Sequence, residues 1–433
     1  MTNSWLNRWV KNNRILLTNT SSLVITTVVT SGLGFVYWWL AAKTFSTQAV
    51  GVASAAIAAM TLLGIIGKLG FGTLLVGELP RQRANAGSMV MSALVIVASV
   101  STILGILFAW AAPLFSKDLQ SLAADGFAIG IFAIGVLLTA VTLVFDQAVI
   151  GLLQGELQLW RNVVFSLTKL LLLPVVARLV AAATGMDIYG TWLLGNVISV
   201  LVLAGIFIAQ HKRIFHKLDG VFIRQFGRIA LQHHVLDLSL QISAFSMPLL
   251  VTVVLSASTN AKFYIAWLIA SVLFAIPTNL TVMLYALGSA DPEVMLNKTP
   301  FTLRISFLVG VAANIVIWLG AYPILNLFGA DYATSAQWTL RILCLGIFPW
   351  IIRAHYVAIV RAYRQTKRAT TLMLFGCALE LALAAIGGLI NGLTGLSIGW
   401  FLAVTIQALI VLPAVYRVSQ NQHYYPVEQL KIT

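Results

Sequence analysis

Hydrophobic positions along the chain come in long runs separated by short polar turns. A membrane-spanning helix needs roughly 20 apolar residues. About twelve runs reach that length, at 15–41, 49–77, 86–111, 122–150, 160–183, 188–210, 233–256, 263–287, 301–322, 335–360, 370–391 and 394–416. The pattern predicts an all-α polytopic membrane protein of about twelve transmembrane helices. If the N-terminus lies inside, no external connection exceeds about a dozen residues, which leaves little room for a folded extramembrane catalytic loop. The longest polar connection, "QHKRIFHKLDGVFIRQFGRIALQHH" (210–234), reads as a basic amphipathic segment on the inner leaflet.

That connection divides the chain into an N-terminal six-helix lobe at 1–210, a cytoplasmic connector at 211–232 and a C-terminal six-helix lobe at 233–433. An internal repeat supports the division. "TGMDIYGTW" (184–192) is echoed by "TGLSIGW" (394–400), about 210 positions later and again between the last two helices of its half. An even number of spans per repeat keeps both halves in the same orientation.

Composition agrees: 60% of residues are hydrophobic and 9% charged, which points to lipid rather than a soluble domain. The net charge of +14 would suit nucleic acid only if the basic residues gathered on one soluble face with aromatic rings among them. Instead they sit between the spans. With the N-terminus inside, 19 basic residues fall in cytoplasmic loops and 4 outside, the bias that holds a multi-pass protein with both ends in the cytoplasm. The basic, amphipathic start "MTNSWLNRWVKNNR" precedes a run too long for a signal peptide's core and reads as retained. Cys344 and Cys377 lie in apolar runs, so no disulfide is expected. Nothing resembles a nucleotide-binding glycine loop, and His233, His234 and His355 lack metal-ligand spacing.

The remaining four cations, Lys68, Lys169, Arg341 and Arg353, fall within spans. Lys169 interrupts "NVVFSLTKLLLLPVVA" (162–177) about nine residues past the cytoplasmic start, roughly 13 Å deep at 1.5 Å per residue. A central lysine costs about 2.5–3.5 kcal/mol on insertion scales, so it should face the bundle interior or a wet cavity. Pro174 can kink the helix beside it. The structural alternative is an ion pair with Asp146. Glu380 sits at matching depth in the second half. It offers three readings: a charge switch pairing with Lys169, a proton carrier, or a static pair. Lys68, among Gly64, Gly67, Gly70 and Gly72, either snorkels to the headgroups or lines a cavity, and the glycines read as close helix packing. Arg341 and Arg353 flank Pro349 and suit either phosphate recognition or interfacial anchoring. Asp146 and Asp237 lie near cytoplasmic helix ends. The "YWW" of 37–39 reads as part of an interfacial aromatic belt.

Three stretches carry a family resemblance. "SGLGFVYWWLAAKTFSTQAVGVASAAIAAMTLLGIIGKLGFGTLLVGELPR" (31–81) resembles the first two helices of bacterial polysaccharide transporters, the oligosaccharide flippase branch of the multidrug/oligosaccharidyl-lipid/polysaccharide (MOP) exporter superfamily. So do 260–289, with Tyr264, Trp267 and Pro277, and 328–369, with Gly329 and Tyr332. The resemblance implies two six-helix lobes of the MOP/MATE kind around a cavity that opens alternately to each side. It also implies an undecaprenyl-pyrophosphate-linked oligosaccharide as cargo for surface polysaccharide such as O-antigen or exopolysaccharide, and the bacterial inner membrane as location. Lys169, Lys68, Arg353 and Arg341 are then the candidate substrate-binding cations, and Glu380, Asp146 and Asp237 the candidate coupling or gating carboxylates. No enzyme activity, catalytic residue, metal or cofactor is expected, save an H⁺ or Na⁺ coupling ion if transport is coupled. Partners are the lipid-linked substrate, membrane lipids and the polysaccharide polymerase and chain-length machinery. A cation-coupled drug antiporter of the MATE type and a sugar-transferring membrane enzyme are the competing readings.

Overall fold

In the computed structural model, the described residues are 14–80, 82, 85–152, 154–180, 182–210, 216–290, 292–363 and 365–420. They are helical throughout apart from short connections, and no strand occurs among them. The chain divides into two compact units, Met1–Leu238 and Ser239–Thr433.

The first unit contains α1 (Arg14–Thr44), α2 (Thr47–Gly67), α3 (Phe71–Glu78), α4 (Ala86–Phe115), α5 (Gly126–Gly151), α6 (Gly155–Leu179), α7 (Gly185–Ala209) and the first part of α8 (Gly220–Val254). Helix α4 packs along α5, while α6 packs along α1 and α7. Small side chains decide which helix lies inside. Within α2, "AVGVASAAIAA" lets neighbours approach closely, and 78% of its apolar window is buried, against 17% for α6. The large apolar residues of α6, such as Leu171 and Leu179, point outward. That is the order expected where the surrounding solvent is hydrocarbon.

The run at 49–77 is one span in the sequence but two helices in the structure. Leu69 and Gly70 take left-handed backbone, φ +48° and +76°, and break the span just past Lys68. A side chain at Gly70 would lie 1.9 Å from the Ala230 carbonyl oxygen, so the chain passes here only without a Cβ. The four glycines of this stretch do serve close packing: Gly64 faces Thr139, Gly67 faces Ser101 and Gly72 faces Gln147.

The second unit holds the rest of α8, then α9 (Ala257–Ala290), α10 (Pro292–Asn326), α11 (Ala330–Leu345), α12 (Ile347–Ala362) and α13 (Thr366–Ser419). Helix α9 packs on α10 and α12, and α12 on α13. Non-helical backbone at Asn391 and Gly392 interrupts α13. Beyond it the chain runs back on itself, bringing Gly395 against Gly387 and Gly399 against the Leu383 carbonyl. Helix α13 therefore supplies the two expected spans, 370–391 and 394–416. The run at 335–360 divides into α11 and α12 at Gly346, where a Cβ would strike the Trp400 ring.

Part of the connector read in the sequence is helical. Helix α8 is continuous from Gly220 through the division at 238/239. Asp219 starts it: its Oδ1 accepts the Phe222 amide at 2.9 Å, and its own amide donates to Ser92 Oγ at 2.7 Å. Phe222 and Ala230 then enter a core with Phe71, Leu75 and Val144. Two apolar residues of the basic segment thus pack into a protein core, while Leu218 and Leu231 are exposed. Residues 211–215 lie outside the described set.

Two alanine substitutions test this packing. Gly70→Ala imposes left-handed strain and a clash with Ala230, costing about 2 kcal/mol. Gly77→Ala, which meets nothing within 4 Å, is neutral or slightly stabilising. Thermal unfolding of the purified protein in detergent should separate the two in that order.

Candidate functional site

Each unit buries its own arrangement of charge. In the first, α6 carries Lys169 inward at 4% exposure, where aromatic rings surround it. The ammonium lies 3.5 Å from the Trp192 ring centroid, 4.6 Å from Phe165 and 5.1 Å from Tyr37. Tyr37 comes from α1 and Trp192 from α7, the two helices that flank α6. The Tyr37 hydroxyl is shared with Thr191 Oγ1 at 2.8 Å, which fixes its ring against the cation. No carboxylate lies within ion-pair distance of Lys169 among the described residues. The ring quadrupoles substitute for a counter-ion.

Asp146, the alternative partner for Lys169, is taken by Arg161. Arg161 Nε donates to Asp146 Oδ1 at 2.7 Å, its Nη2 donates to Oδ2, and Asn162 adds a bond to Oδ2 at 3.1 Å. Both residues are 7% exposed. Arg161 read as a loop cation in the sequence, but Asp146 and Arg161 stand equally far from the turn joining α5 and α6, so the helical hairpin brings them together. An apolar cavity of about 360 Å³, lined by Phe145, Phe207, Arg161 and His216 among others, opens beside this pair.

In the second unit Glu380 is 2% exposed and accepts four bonds. Arg353 Nη1 and Gln407 Nε2 donate to Oε1, the latter at 2.9 Å, while Ser243 Oγ and Trp400 Nε1, at 3.2 Å, donate to Oε2. All four lone-pair positions of the carboxylate are filled. Arg353 Nη1 donates in addition to Gln407 Oε1 at 2.9 Å, and its guanidinium carbon lies 4.4 Å from the Trp350 ring centroid. Arg353 also lines a cavity of about 470 Å³ together with Trp350, Tyr285, Thr278, Thr281 and Arg361.

These positions revise several expectations. Lys169 and Glu380 are both turned into packed protein, where rings and hydrogen-bond donors supply the solvation water would have given. Glu380 is held by Arg353 within its own unit. Asp146 is buried and paired with Arg161 rather than Lys169. Lys68 caps the end of α2 and is 5% exposed, so its side chain does not snorkel to a surface. Arg341 sits over Trp338, 4.8 Å from the ring centroid, and donates from Nε to the Trp318 carbonyl at 3.3 Å, an aromatic clamp on partly exposed surface. The Asp237 side chain lies outside the described residues. Tyr37 and Trp38, expected in an interfacial belt, are 0% and 2% exposed, and only Trp39 shows its ring outward.

Sequence reasoning missed Arg161, Trp192, Ser243, Trp400 and Gln407. Hairpin symmetry is the signal for some of them: Asp146 and Arg161 stand nearly equally far from the 152–154 turn, as Gly376 and Gln407 do from Asn391. Trp192 and Trp400 close the two repeat echoes.

Comparison with known proteins gives the relatives of this arrangement. The family model described as "Polysaccharide biosynthesis protein" matches residues 16–287, and the MatE model matches 238–386. No curated protein matches the chain. Among solved structures, an inward-facing MATE family multidrug resistance transporter of the MOP superfamily is 17% identical, covering 93% of this chain and 98% of its own, with a TM-score of 0.71. The lipid II flippase MurJ in an inward closed conformation is 14% identical over 92% and 90%, TM-score 0.68. A MOP superfamily transporter from Pyrococcus furiosus, described as having a binding pocket of reverse polarity, is 15% identical over 94% and 96%, TM-score 0.61. At these identities the likeness establishes the fold.

Removing one partner of the buried pair on the α5–α6 hairpin should be costly. Asp146→Asn leaves Arg161 uncompensated and should lower stability by roughly 3 kcal/mol or more, whereas the apolar double variant Asp146→Leu/Arg161→Met should recover most of the loss. Thermal unfolding in detergent reads both; equal stability of wild type and Asp146→Asn would show the pair to be idle.

Proposed function

This chain belongs to the polysaccharide biosynthesis protein family of MOP-superfamily transporters, and on that premise we propose that it is a flippase for a lipid-linked oligosaccharide carrying a pyrophosphate. The observation that supports this cargo is that Lys169, a buried cation, has no carboxylate within ion-pair distance among the described residues. The two buried carboxylates seen here, Asp146 and Glu380, are each neutralised by an arginine. Lys169 has only aromatic faces. The charge left to be answered inside the described spans is therefore positive, and a pyrophosphate answers it.

The same observation sets the rival readings lower. A MATE-type cation-coupled antiporter needs a carboxylate open to H⁺, Na⁺ or a cationic drug, while Glu380 already accepts four donors. A sugar-transferring enzyme needs a folded loop, and the connections seen are short, the 116–125 turn with its 3₁₀ helix being the longest on its side of the bundle. On this reading the chain sits in a bacterial inner membrane with both termini in the cytoplasm. It hands its cargo to the polymerase and chain-length machinery of O-antigen or exopolysaccharide assembly.

Lys169→Met keeps the apolar stem against the rings and removes the charge. In a deletion strain this variant should reach wild-type abundance in the membrane while surface polysaccharide falls at least tenfold. Normal export by Lys169→Met, or drug resistance conferred by the wild-type protein with no polysaccharide defect on deletion, would reverse the assignment.

A further inference from the structure

Arg353 uses only part of its hydrogen-bonding capacity on protein. A guanidinium has five N–H donors in a planar fork. Its hydrogen bonds to Glu380 and Gln407 both leave from Nη1. Among the described residues the Nε/Nη2 edge has no hydrogen-bond partner, and Arg353 lines the 470 Å³ cavity of the second unit. That edge is the pair of parallel donors that fits two oxygens of one phosphate.

The surroundings hold the fork in place. Glu380 is fixed by Ser243, Trp400 and Gln407, and Gln407 is itself anchored by donating to the Gly376 carbonyl at 3.1 Å. Trp350 lies against the guanidinium and is fixed in turn by a 3.1 Å bond from its Nε1 to Thr278 Oγ1 and by stacking on Phe274. A second cation, Arg361, lines the same cavity two helical turns on, and Leu240, Val282 and Val357 give it apolar walls. The cavity thus joins a preset arginine fork and a second positive charge to an apolar lining.

We propose that the cavity between α8, α9 and α12 is a binding site for a phosphate ester borne on an apolar tail, with the Nε/Nη2 edge of Arg353 as its ligating fork and Glu380 as the residue that positions it. Glu380 on this account neither carries an ion nor touches the ligand. The anion chemistry stands on the geometry alone, whereas assigning the ligand to the carried lipid rests on the flippase reading above. A bilayer phospholipid headgroup offers the same chemistry.

Binding to the purified full-length protein in non-ionic detergent, followed by tryptophan fluorescence, tests the site with three probes: farnesyl diphosphate, farnesol and a short-chain phosphatidylglycerol. A phosphate-bearing probe should bind at least tenfold more tightly than farnesol. Arg353→Lys, which keeps the charge and loses the fork, should weaken that binding about tenfold. Because Arg353→Gln alone strands Glu380, the neutral double variant Arg353→Gln/Glu380→Gln serves as the fold-preserving loss, and it should abolish the preference for phosphate. Lys262→Gln, which removes a partly exposed cation of the same unit paired with Asp331, should leave binding unchanged. Tighter binding of the diphosphate assigns the site to the carried lipid. Tighter binding of phosphatidylglycerol keeps the anion site and assigns it to the bilayer, counting against its use in transport. Equal affinity for farnesol and both phosphates, or an undiminished phosphate preference in the double variant, overturns the proposal.

Discussion

The cost of holding an ion away from water governs this structure. A lysine, arginine or carboxylate inside a hydrocarbon-facing bundle must be answered by protein, and each one described here has a distinct answer. Asp146 and Arg161 close a two-pronged pair across the α5–α6 hairpin. Glu380 gathers an arginine, an amide, a hydroxyl and an indole. Lys169 receives three ring faces and no anion among the described residues. Small residues make these answers reachable. The alanine- and glycine-rich α2 lets the first unit close tightly, and glycines 387, 395 and 399 let the two arms of α13 approach closely enough for Trp400 and Gln407 to reach Glu380.

The two halves solve the problem on the same scaffold with opposite polarity. Lys169 and Glu380 lie about 210 positions apart, each on the fifth helix of its half. Trp192 and Trp400 stand at corresponding places on the sixth. The first helix supplies Tyr37 in one half and Ser243 in the other. Changing one central residue from cation to anion changes what the shared tryptophan does: Trp192 presents its ring face to the ammonium, and Trp400 presents its N–H to the carboxylate. Indole can do both because its face is negative and its edge carries a donor.

Hydropathy made the spans legible, since every long apolar run corresponds to helix. The breaks were less so. Lys68–Gly70 and Gly346 interrupt helices without interrupting hydrophobicity, and a run-length reading has no means of seeing a change in backbone direction that leaves the apolar composition intact. Charge at depth marked Lys169, Arg353 and Glu380 as important, but partners were misassigned. Depth along one helix says nothing of which face a neighbour presents. Counting outward from hairpin turns, which pairs Asp146 with Arg161 and Gly376 with Gln407, does carry that information. The Tyr37–Trp38 pair was misread because aromatic residues near a span end look alike in sequence whether they face headgroups or a buried cation.

The three buried charge clusters differ in how readily they can give up a partner. Breaking a buried ion pair on one side costs about 3–5 kcal/mol, because the abandoned charge has nowhere to go. Asp146–Arg161 and Glu380–Arg353 are of that kind and act as fixed points. A cation over a ring is held by about 2 kcal/mol when desolvated, and the ring left behind is neutral, so its loss strands nothing. Lys169 is therefore the buried charge that an arriving anion can most cheaply recruit. Arg353 lines a cavity while its Nη1 stays on Glu380, so on the proposed reading its free edge needs no recruitment. On the proposed flippase reading, a carrier has to grip its cargo and release it, and the difference between an arginine fork held on Glu380 and a cation lent by aromatic rings offers one group suited to each task.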